Sequence, residues 1–555
     1  MHFDSHRIRL FLVLVVSLVV VGCLAEAGIG RPSPAEAERS GADLTAAAPT
    51  SAATKGAGRE PGRGTGRPPA TKPATPGTQG RGGGDTGQPL PGAGDQRPNI
   101  ILVSTDDETA SDMRWMPKTV QYLAKQGVTF SRALSPHPLC CPARAAILTG
   151  QYAQNNGVKS NQDPFNFVAL HNKTTLPVWL HRAGYRTAFT GKYLNGYGTK
   201  GKPQPGWDYW DATMVNPYSY VGYQMYQNGN EQYYRSLNNV DYINKRMISL
   251  VEDFSRGPKP FFIWASHVAP HGRLDKIKNI PSTAEALPPT RFAHLFSDVD
   301  SPSLQDPGYS ETDVSDKNSL VQSKNQPTKA KINTVFRSRI RALQGVDEGI
   351  VDLVQTLRRL GELDNTYIFF TSDNGFLLGE HHLITKNVPY RQSLRVPMIV
   401  RGPGVPKGVV RNQRALMIDL APTFAKIAGA TPLVTVDGVS LLPALTADKP
   451  LRETVLIQAG PQTADDLPYG WWWRGVTTDR YTYARFFANG IEELYDHKYD
   501  PSEIDNVASD PAYADVLLEL RQRTQVLVTC RSGAECSQGF GPMPEPTEEP
   551  LAPTG

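Results

Sequence analysis

The sequence predicts an α/β fold: a large sheet flanked by helices, followed by a smaller antiparallel-sheet subdomain. Three observations carry this prediction. Short, unbroken apolar runs rich in β-branched and aromatic residues recur between Ile100 and about Gly404. Segments with helical periodicity lie between them, and strands alternating with helices require crossover connections. Beyond Gly404 the runs shorten and alternate polar with apolar, the pattern of an antiparallel sheet.

The elements follow in order. Ile100 to Ser104 reads as a strand buried on both faces. Helical periodicity runs from Met116 to Lys125 and closes at Gly127. Further strands are predicted at Arg186–Gly191, Pro260–His267, Thr366–Gly375 and Val396–Gly404. Phe336, Ile340, Leu343, Val346, Ile350, Leu353, Val354 and Leu357 recur at spacings of three and four. They mark one amphipathic helix, or two broken near Gly345. "MIDLAPTFAKIAGA" is a helix. The short strands "ETVLIQ", "WWRGVTTD", "RYTYARFF" and "EELYDH" follow, and a helix over Ala512–Val528 ends the second part. The aromatic stretch "GWDYWDATMVNPYSYVGYQMYQNGNEQYY" reads as a surface insertion packed on the sheet, with no substrate contact assigned to it.

Ahead of the first strand the composition is different. A basic start, an apolar run from Leu10 to Val21 and then Gly22-Cys23 form an export signal. Val20-Val21-Gly22-Cys23 resembles a bacterial lipoprotein cleavage box, with Cys23 as the lipidated first residue; an ordinary signal peptide or an uncleaved anchor is the alternative. The expected location is outside the cell interior, lipid-anchored on the outer face of the bacterial cytoplasmic membrane or secreted. Gly, Pro, Ala, Thr and Ser then dominate to Gln96 and bury too little apolar surface to order the chain. The organisation read from this is 1–23 signal and lipobox, 24–96 disordered linker, 97–404 N-terminal catalytic domain, 405–536 C-terminal subdomain and 537–555 disordered tail. Lys and Arg number 58 against 54 Asp and Glu, a net charge of +4, which argues against nucleic acid as a partner. In an oxidising compartment Cys530 and Cys536 are placed to close a short loop, worth about 2 kcal/mol by chain entropy. A disulfide between the neighbours Cys140 and Cys141 would be strained.

Polar clusters end three of the buried strands: Asp106-Asp107, His267 through His271, and Asp373-Asn374. Ligands in open α/β sheets bind beyond the carboxyl ends of strands. One Asp there is commonly a helix cap. Three carboxylates and an amide converge there from separate strands, and adjacent unpaired carboxylates repel unless a cation lies between them. All-oxygen donors favour Ca²⁺ or Mg²⁺ over zinc. Pro270 breaks any helix that would pair His267 with His271 as zinc ligands.

"CCPARAAILTG", residues 140–150, resembles the Cys-x-Pro-x-Arg…Thr-Gly motif of the type I sulfatases. The likeness extends through "PNIILVSTDD", "TGKYLNGYG", "ASHVAPH", "TSDNGFLLGEHHLITK", "LRVPMIVRGPG" and "ELYDHKYDPSEIDNVASDP", from Pro98 to about Pro511. "CCPAR" with "GKYLN" is most similar to the branch containing N-acetylglucosamine-6-sulfatases and related glycan sulfatases. The resemblance implies an alkaline-phosphatase-like large mixed sheet and hydrolysis of a sulfate ester of a sulfated small molecule or glycan. It implies that Cys140, two positions before Pro142, is oxidised to formylglycine by a formylglycine-generating enzyme. One hydroxyl of the aldehyde hydrate would attack sulfur and the other would expel sulfate. Asp106, Asp107, Asp373 and Asn374 would hold Ca²⁺ (or Mg²⁺) against residue 140. Arg144 would stabilise the hydrate, and Lys192 and Lys386 would neutralise sulfate oxygens. His271 would be the acid for the leaving alkoxide, with His267 as neighbour or substitute.

Two departures from the family pattern stand out. Many sulfatases have histidine two positions after the first lysine; here Leu194 and then Asn195 follow. The base for sulfate release is therefore open: Asn195 is a candidate to orient the hydrate, and His381 and His382 are candidates to contribute. Tyr390-Arg391 stands where Tyr-Glu is frequent. The competing readings are a phosphodiester or phosphonate monoester hydrolase of the same superfamily, and a non-catalytic glycan-binding lipoprotein.

Overall fold

The computed structural model describes residues 97–199, 202–214, 217–273 and 284–548. The export signal, lipobox and linker expected over residues 1–96 lie outside them. Strand β1, Asn99–Asp106, has all eight residues buried, because it lies inside the sheet with helices on both faces. The other strands of its sheet are β2 (Val128–Phe130), β3 (Arg186–Gly191), β4 (Tyr209–Thr213), β5 (Tyr223–Gln227), β6 (Asn230–Tyr234), β7 (Phe261–Pro270), β8 (Thr366–Ser372), β9 (Met398–Arg401) and β10 (Val409–Arg411). Their spatial order is β10-β2-β9-β8-β1-β7-β3-β4-β5-β6. The centre, β8-β1-β7-β3-β4, is parallel. β9 runs antiparallel to both β8 and β2, and β4, β5 and β6 run as antiparallel neighbours, so the sheet is mixed.

Alternation along β1 divides the core in two. Ile100 and Leu102 pack with Phe262, Trp264 and Phe369 on one face, beneath the helices Cys140–Thr149, Leu176–Arg182 and Leu420–Ala428. Ile101 and Val103 pack with Ile263, Ala265, Ile368 and Phe370 on the other, beneath Asn239–Phe254 and Lys329–Arg359. The last of these is one continuous helix of 31 residues. Gly345 does not break it. A Cβ there would lie 2.8 Å from Val240 Cγ1, and Asn244 Nδ2 donates to the Gly345 carbonyl at 2.7 Å. The glycine marks the close crossing of two helices.

The register between β1 and β7 shifts after Ser104. Ser104 faces Ser266, but Asp106 faces Pro270. The additional residues keep β7 extended as far as Pro270, beyond the end at His267 that the sequence predicts, and bring His271 alongside the end of β1.

The C-terminal part carries β11 (Val455–Ala459), β12 (Trp473–Thr477), β13 (Tyr481–Phe486) and β14 (Glu492–Asp496), antiparallel in sequence order. Helix Ala514–Leu527 packs on it through Val516 and Leu520, in a core continuous with Ile147 and Leu148 of the first part. Cys530 and Cys536 form a disulfide, and Cys140 and Cys141 are free. The tail departs from expectation. Within 537–548, Gly541 accepts from Arg523 Nη2 at 2.8 Å and Thr547 donates to the Ala512 carbonyl at 3.0 Å, so this stretch is tied to the terminal helix.

Candidate active site

The carboxyl ends of β1, β3, β7 and β8 deliver Asp106-Asp107, Lys192, His271 and Asp373-Asn374 to one place. Asp107 takes a left-handed backbone (φ 71°), uncommon outside glycine. Cys140 is the first residue of helix Cys140–Thr149, where free N–H groups and the helix dipole favour negative charge. The Cys141 N–H donates to Asn161 Oδ1 at 3.0 Å, which satisfies one of those groups. Donor atoms of Asp106, Asp107, Cys140 and His271 all lie within 4.8 Å of one another.

Cations enclose this acidic centre. Lys192 Nζ binds Asp106, and Lys386 Nζ binds Asp107. Lys386 Nζ also lies 3.0 Å from Cys140 Sγ, and that sulfur lies 3.4 Å from Asp106 Oδ1. Arg144 Nε donates to Asp373 Oδ2 at 2.8 Å and its Nη2 reaches Asp106 at 3.3 Å. Arg144 Nη1 meets the Lys192 carbonyl and Ser266 Oγ at 2.5 and 2.6 Å, so the guanidinium ties together residues on or just after four strands, β1, β3, β7 and β8.

The charges sort accordingly. Burial would raise the Asp106 carboxyl, but Lys192, His271, Arg144 and Lys386 together hold it well below the usual range. Asp373, buried and beside Asp106, is pushed up to about 6. Burial and then Asp106 push the Cys140 thiol up to about 12, so an unmodified thiol there is protonated and a poor nucleophile. Burial pushes His271 down to about 4, although Asp107 Oδ2 lies 3.6 Å from Nε2.

The donor set suits a hard cation. Asn374 Nδ2 donates to Asp107 Oδ1 at 2.7 Å and to the Gly375 carbonyl at 2.8 Å, while its buried Oδ1 has no hydrogen-bond partner. An orphaned amide oxygen beside three carboxylates is what Ca²⁺ or Mg²⁺ would satisfy.

Other candidates lie differently. His267 is wholly buried on β7, neither ring nitrogen has a hydrogen-bond partner, and burial pushes it down to about 3. His381 Nδ1 is engaged with Glu311 at 2.7 Å and its ring stacks on Tyr390. His382 meets the carbonyls of Lys324 and Glu311. Both histidines are thus engaged by Glu311, although the buried His381 Nε2 has no hydrogen-bond partner. Arg391 pairs with Asp306 at 2.5 Å.

One residue of the site carries no signal in the sequence. Tyr218 belongs to the aromatic stretch read as packing only, yet its ring stacks on His271 with centroids 4.2 Å apart. Lys192 Nζ lies 4.4 Å from the same ring, and Asn195 Nδ2 donates to the Tyr218 hydroxyl at 2.6 Å. The ring therefore joins His271, Lys192 and Asn195.

A Caenorhabditis elegans protein named as a Sulf-1 homolog is 36% identical over 391 residues, 66% of this chain and 53% of that protein. The chain thus spans about half the length of that relative, and 32% of a Drosophila melanogaster extracellular sulfatase SULF-1 homolog. Human N-acetylglucosamine-6-sulfatase is 35% identical over 390 residues, 66% of this chain and 68% of that one. A solved complex with the substrate D-glucosamine-2-N,6-O-disulfate shares the fold at TM-score 0.65 and 24% identity, covering 78% of this chain and 97% of the other. The phosphonate monoester hydrolase of Agrobacterium radiobacter shares it at TM-score 0.58 and 20% identity, over 78% and 95%. The family profile for the C-terminal part of N-sulphoglucosamine sulphohydrolase matches residues 379–529. The Sulfatase family profile matches residues 98–430, from the first residue before β1 to the helix that follows β10, and the chain belongs to the sulfatase family.

Proposed function

We propose that the protein hydrolyses a sulfate ester of a sulfated carbohydrate, with residue 140 as nucleophile after its conversion from cysteine to formylglycine. The observation that carries this reading is the meeting of Cys140 with Lys386, Asp106 and Asp107 at a helix N-terminus. A thiol held near 12 is unsuited to attack, whereas an aldehyde hydrate at that position would offer one hydroxyl for attack on sulfur and a second for expelling sulfate.

Asp106, Asp107, Asp373 and Asn374 would hold Ca²⁺ or Mg²⁺. When bound, the metal supplies Lewis-acid withdrawal of charge from a sulfate oxygen and support for an ionised nucleophile. The chain's own residues do the rest. Arg144, fixed by Asp373 and Ser266, holds the base of the site rigid. Lys192 and Lys386 present point charges for sulfate oxygens. His271 would be the acid for the leaving oxygen. Its Nδ1 keeps a proton on the Gly272 carbonyl at 2.6 Å, so Nε2 takes up a second proton from solvent before donating it; burial opposes that charge and Asp107 favours it.

Relatives named extracellular sulfatases agree with export of this chain, and Cys23 would supply a lipid anchor. Maturation would require a formylglycine-generating enzyme. Among the described residues no helix is long and apolar enough to cross a membrane. The test is a panel of N-acetylglucosamine-6-sulfate, an aryl sulfate, an aryl phosphodiester and a phosphonate monoester. Preferred turnover of the sulfates supports the reading; preferred turnover of the phosphodiester or phosphonate replaces it.

A further inference from the structure

We propose that Lys159, seated against Trp471, forms a second anion-binding subsite at the edge of the active site. It would take a sulfate or carboxylate on the sugar next to the one being desulfated. This rests on the sulfatase reading above.

Two cations in this region have no counter-charge among the described residues. Lys159 Nζ lies 4.5 Å from the centroid of the Trp471 ring and 5.8 Å from that of Phe165. Arg474 places its guanidinium carbon 4.0 Å from the same indole centroid. Among the described residues neither cation has a carboxylate within ion-pair distance. Arg474 donates to Gln458 Oε1 at 3.2 and 3.0 Å and to the Val528 carbonyl at 3.4 Å, all neutral acceptors. Arg474 is buried, and Lys159 is half-buried with an edge to solvent.

Two cations on one indole repel. A cation–π contact contributes about 0.5–1 kcal/mol at an exposed site, too little to offset the desolvation of two like charges. Elsewhere in the chain the buried cations Arg144, Lys192, Lys317 and Arg452 are each paired with a carboxylate. Here the complement that is missing is an anion, and the half-buried Lys159 remains accessible to one from solvent.

The position links this pair to the reaction centre. Asn161, two residues beyond Lys159, accepts the Cys141 N–H at 3.0 Å. Gly460, at the start of the loop leading to Trp471, donates to His137 Nε2 at 3.3 Å, three residues before Cys140. Trp473 Nε1 donates to the carbonyl of Asn387, the neighbour of Lys386, at 2.9 Å. Both segments that build the subsite are thus tied to the segments that carry Cys140 and Lys386. A Cβ on Gly470 would stand 3.8 Å from Lys159 Nζ, so the ammonium lies over the turn between Trp471 and Tyr469. The Tyr469 side of that turn is 52% exposed, which leaves an aromatic surface beside the charge for a sugar ring.

The experiment compares wild type with Lys159→Ala and Lys159→Glu on three substrates. These are N-acetylglucosamine-6-sulfate, its disaccharide with an uncharged neighbour, and its disaccharide with a neighbour carrying a sulfate or a carboxylate. The expected result is a KM raised about tenfold by Lys159→Ala on the charged disaccharide alone, the loss of one charge-assisted hydrogen bond, with kcat kept. Lys159→Glu should raise it further. An equal change on all three substrates, or no change on the charged one, overturns the subsite. Titration of the charged disaccharide against Cys140→Ala, with and without Lys159→Ala, reads the same difference as a Kd. That arm stands even if no sulfate ester is turned over, so failure of the subsite and failure of the sulfatase reading are told apart.

Discussion

Lys386 Nζ lies 3.0 Å from Cys140 Sγ, while the neighbouring sulfur of Cys141 faces away, toward the Asn195 carbonyl at 3.7 Å. Two adjacent thiols therefore have separate surroundings. Cys140→Ala should abolish turnover. Cys141→Ala should keep most of it and lower stability by about 1 kcal/mol through the small cavity it leaves. Steady-state kinetics and urea denaturation check both, and equal loss of activity in the two variants would contradict the assignment of residue 140.

Removal of divalent metal should stop turnover, and Ca²⁺ should restore it. Asn374→Ala removes the orphaned amide oxygen, and with it the amide donor to Asp107. It should weaken the affinity for Ca²⁺ by about 10–100-fold. Calcium titration of the metal-depleted protein reads this directly. Unchanged calcium affinity would remove Asn374 from the metal site.

Tyr218 holds His271 by stacking and Asn195 by its hydroxyl. Tyr218→Phe keeps the stack and loses the hydrogen bond, so kcat/KM should fall only a few-fold, by about 1 kcal/mol. Tyr218→Leu loses the stack as well. It should cost about 10–100-fold and displace the pH profile of kcat, because the His271 ring is no longer fixed. An unaltered pH profile in Tyr218→Leu would leave the residue a packing role alone.

His137 supplies a test through acid stability. It is buried, Nε2 accepts the Gly460 N–H, and burial, with Arg474 and Lys159 nearby, pushes it down to about 3. The folded state thus disfavours the charged form. Its contribution is fully present above the ordinary value near 6.5 and is lost as pH falls from there toward about 3. Between pH 7 and pH 5 the wild type should lose about 2 kcal/mol through this residue, and His137→Gln should lack that part of the slope. Denaturant unfolding at the two pH values measures it. Equal slopes would show that His137 does not titrate in the unfolding reaction.

The parts of this fold legible in sequence are those with one dominant physical cause. β1, β7 and β8 are buried on both faces, so their residues read as unbroken apolar runs. The helix Lys329–Arg359 shows its buried face through spacing alone, although the meaning of Gly345 emerges only once Val240 is seen against it. β2 and β10 have three residues each, too few for any period to appear. The register shift that sets Asp106 opposite Pro270 is a property of two strands together and leaves no mark on either. The carboxylates, lysines and Arg144 were readable because they follow strands or sit in a motif. Tyr218 was not, because its place against His271 is made by tertiary folding of an aromatic-rich edge. His381 and His382 are candidates in sequence by residue type alone; in the fold they meet the buried Glu311 and the Lys324 carbonyl.

The most direct measurement is the mass of the peptide spanning Leu139 to Arg144, taken from active protein isolated from its own host and set beside turnover of N-acetylglucosamine-6-sulfate by the same sample. The account predicts a residue 140 carrying an aldehyde or its hydrate, in a fraction that rises and falls with specific activity. Full activity from protein whose residue 140 is an unmodified cysteine would contradict it.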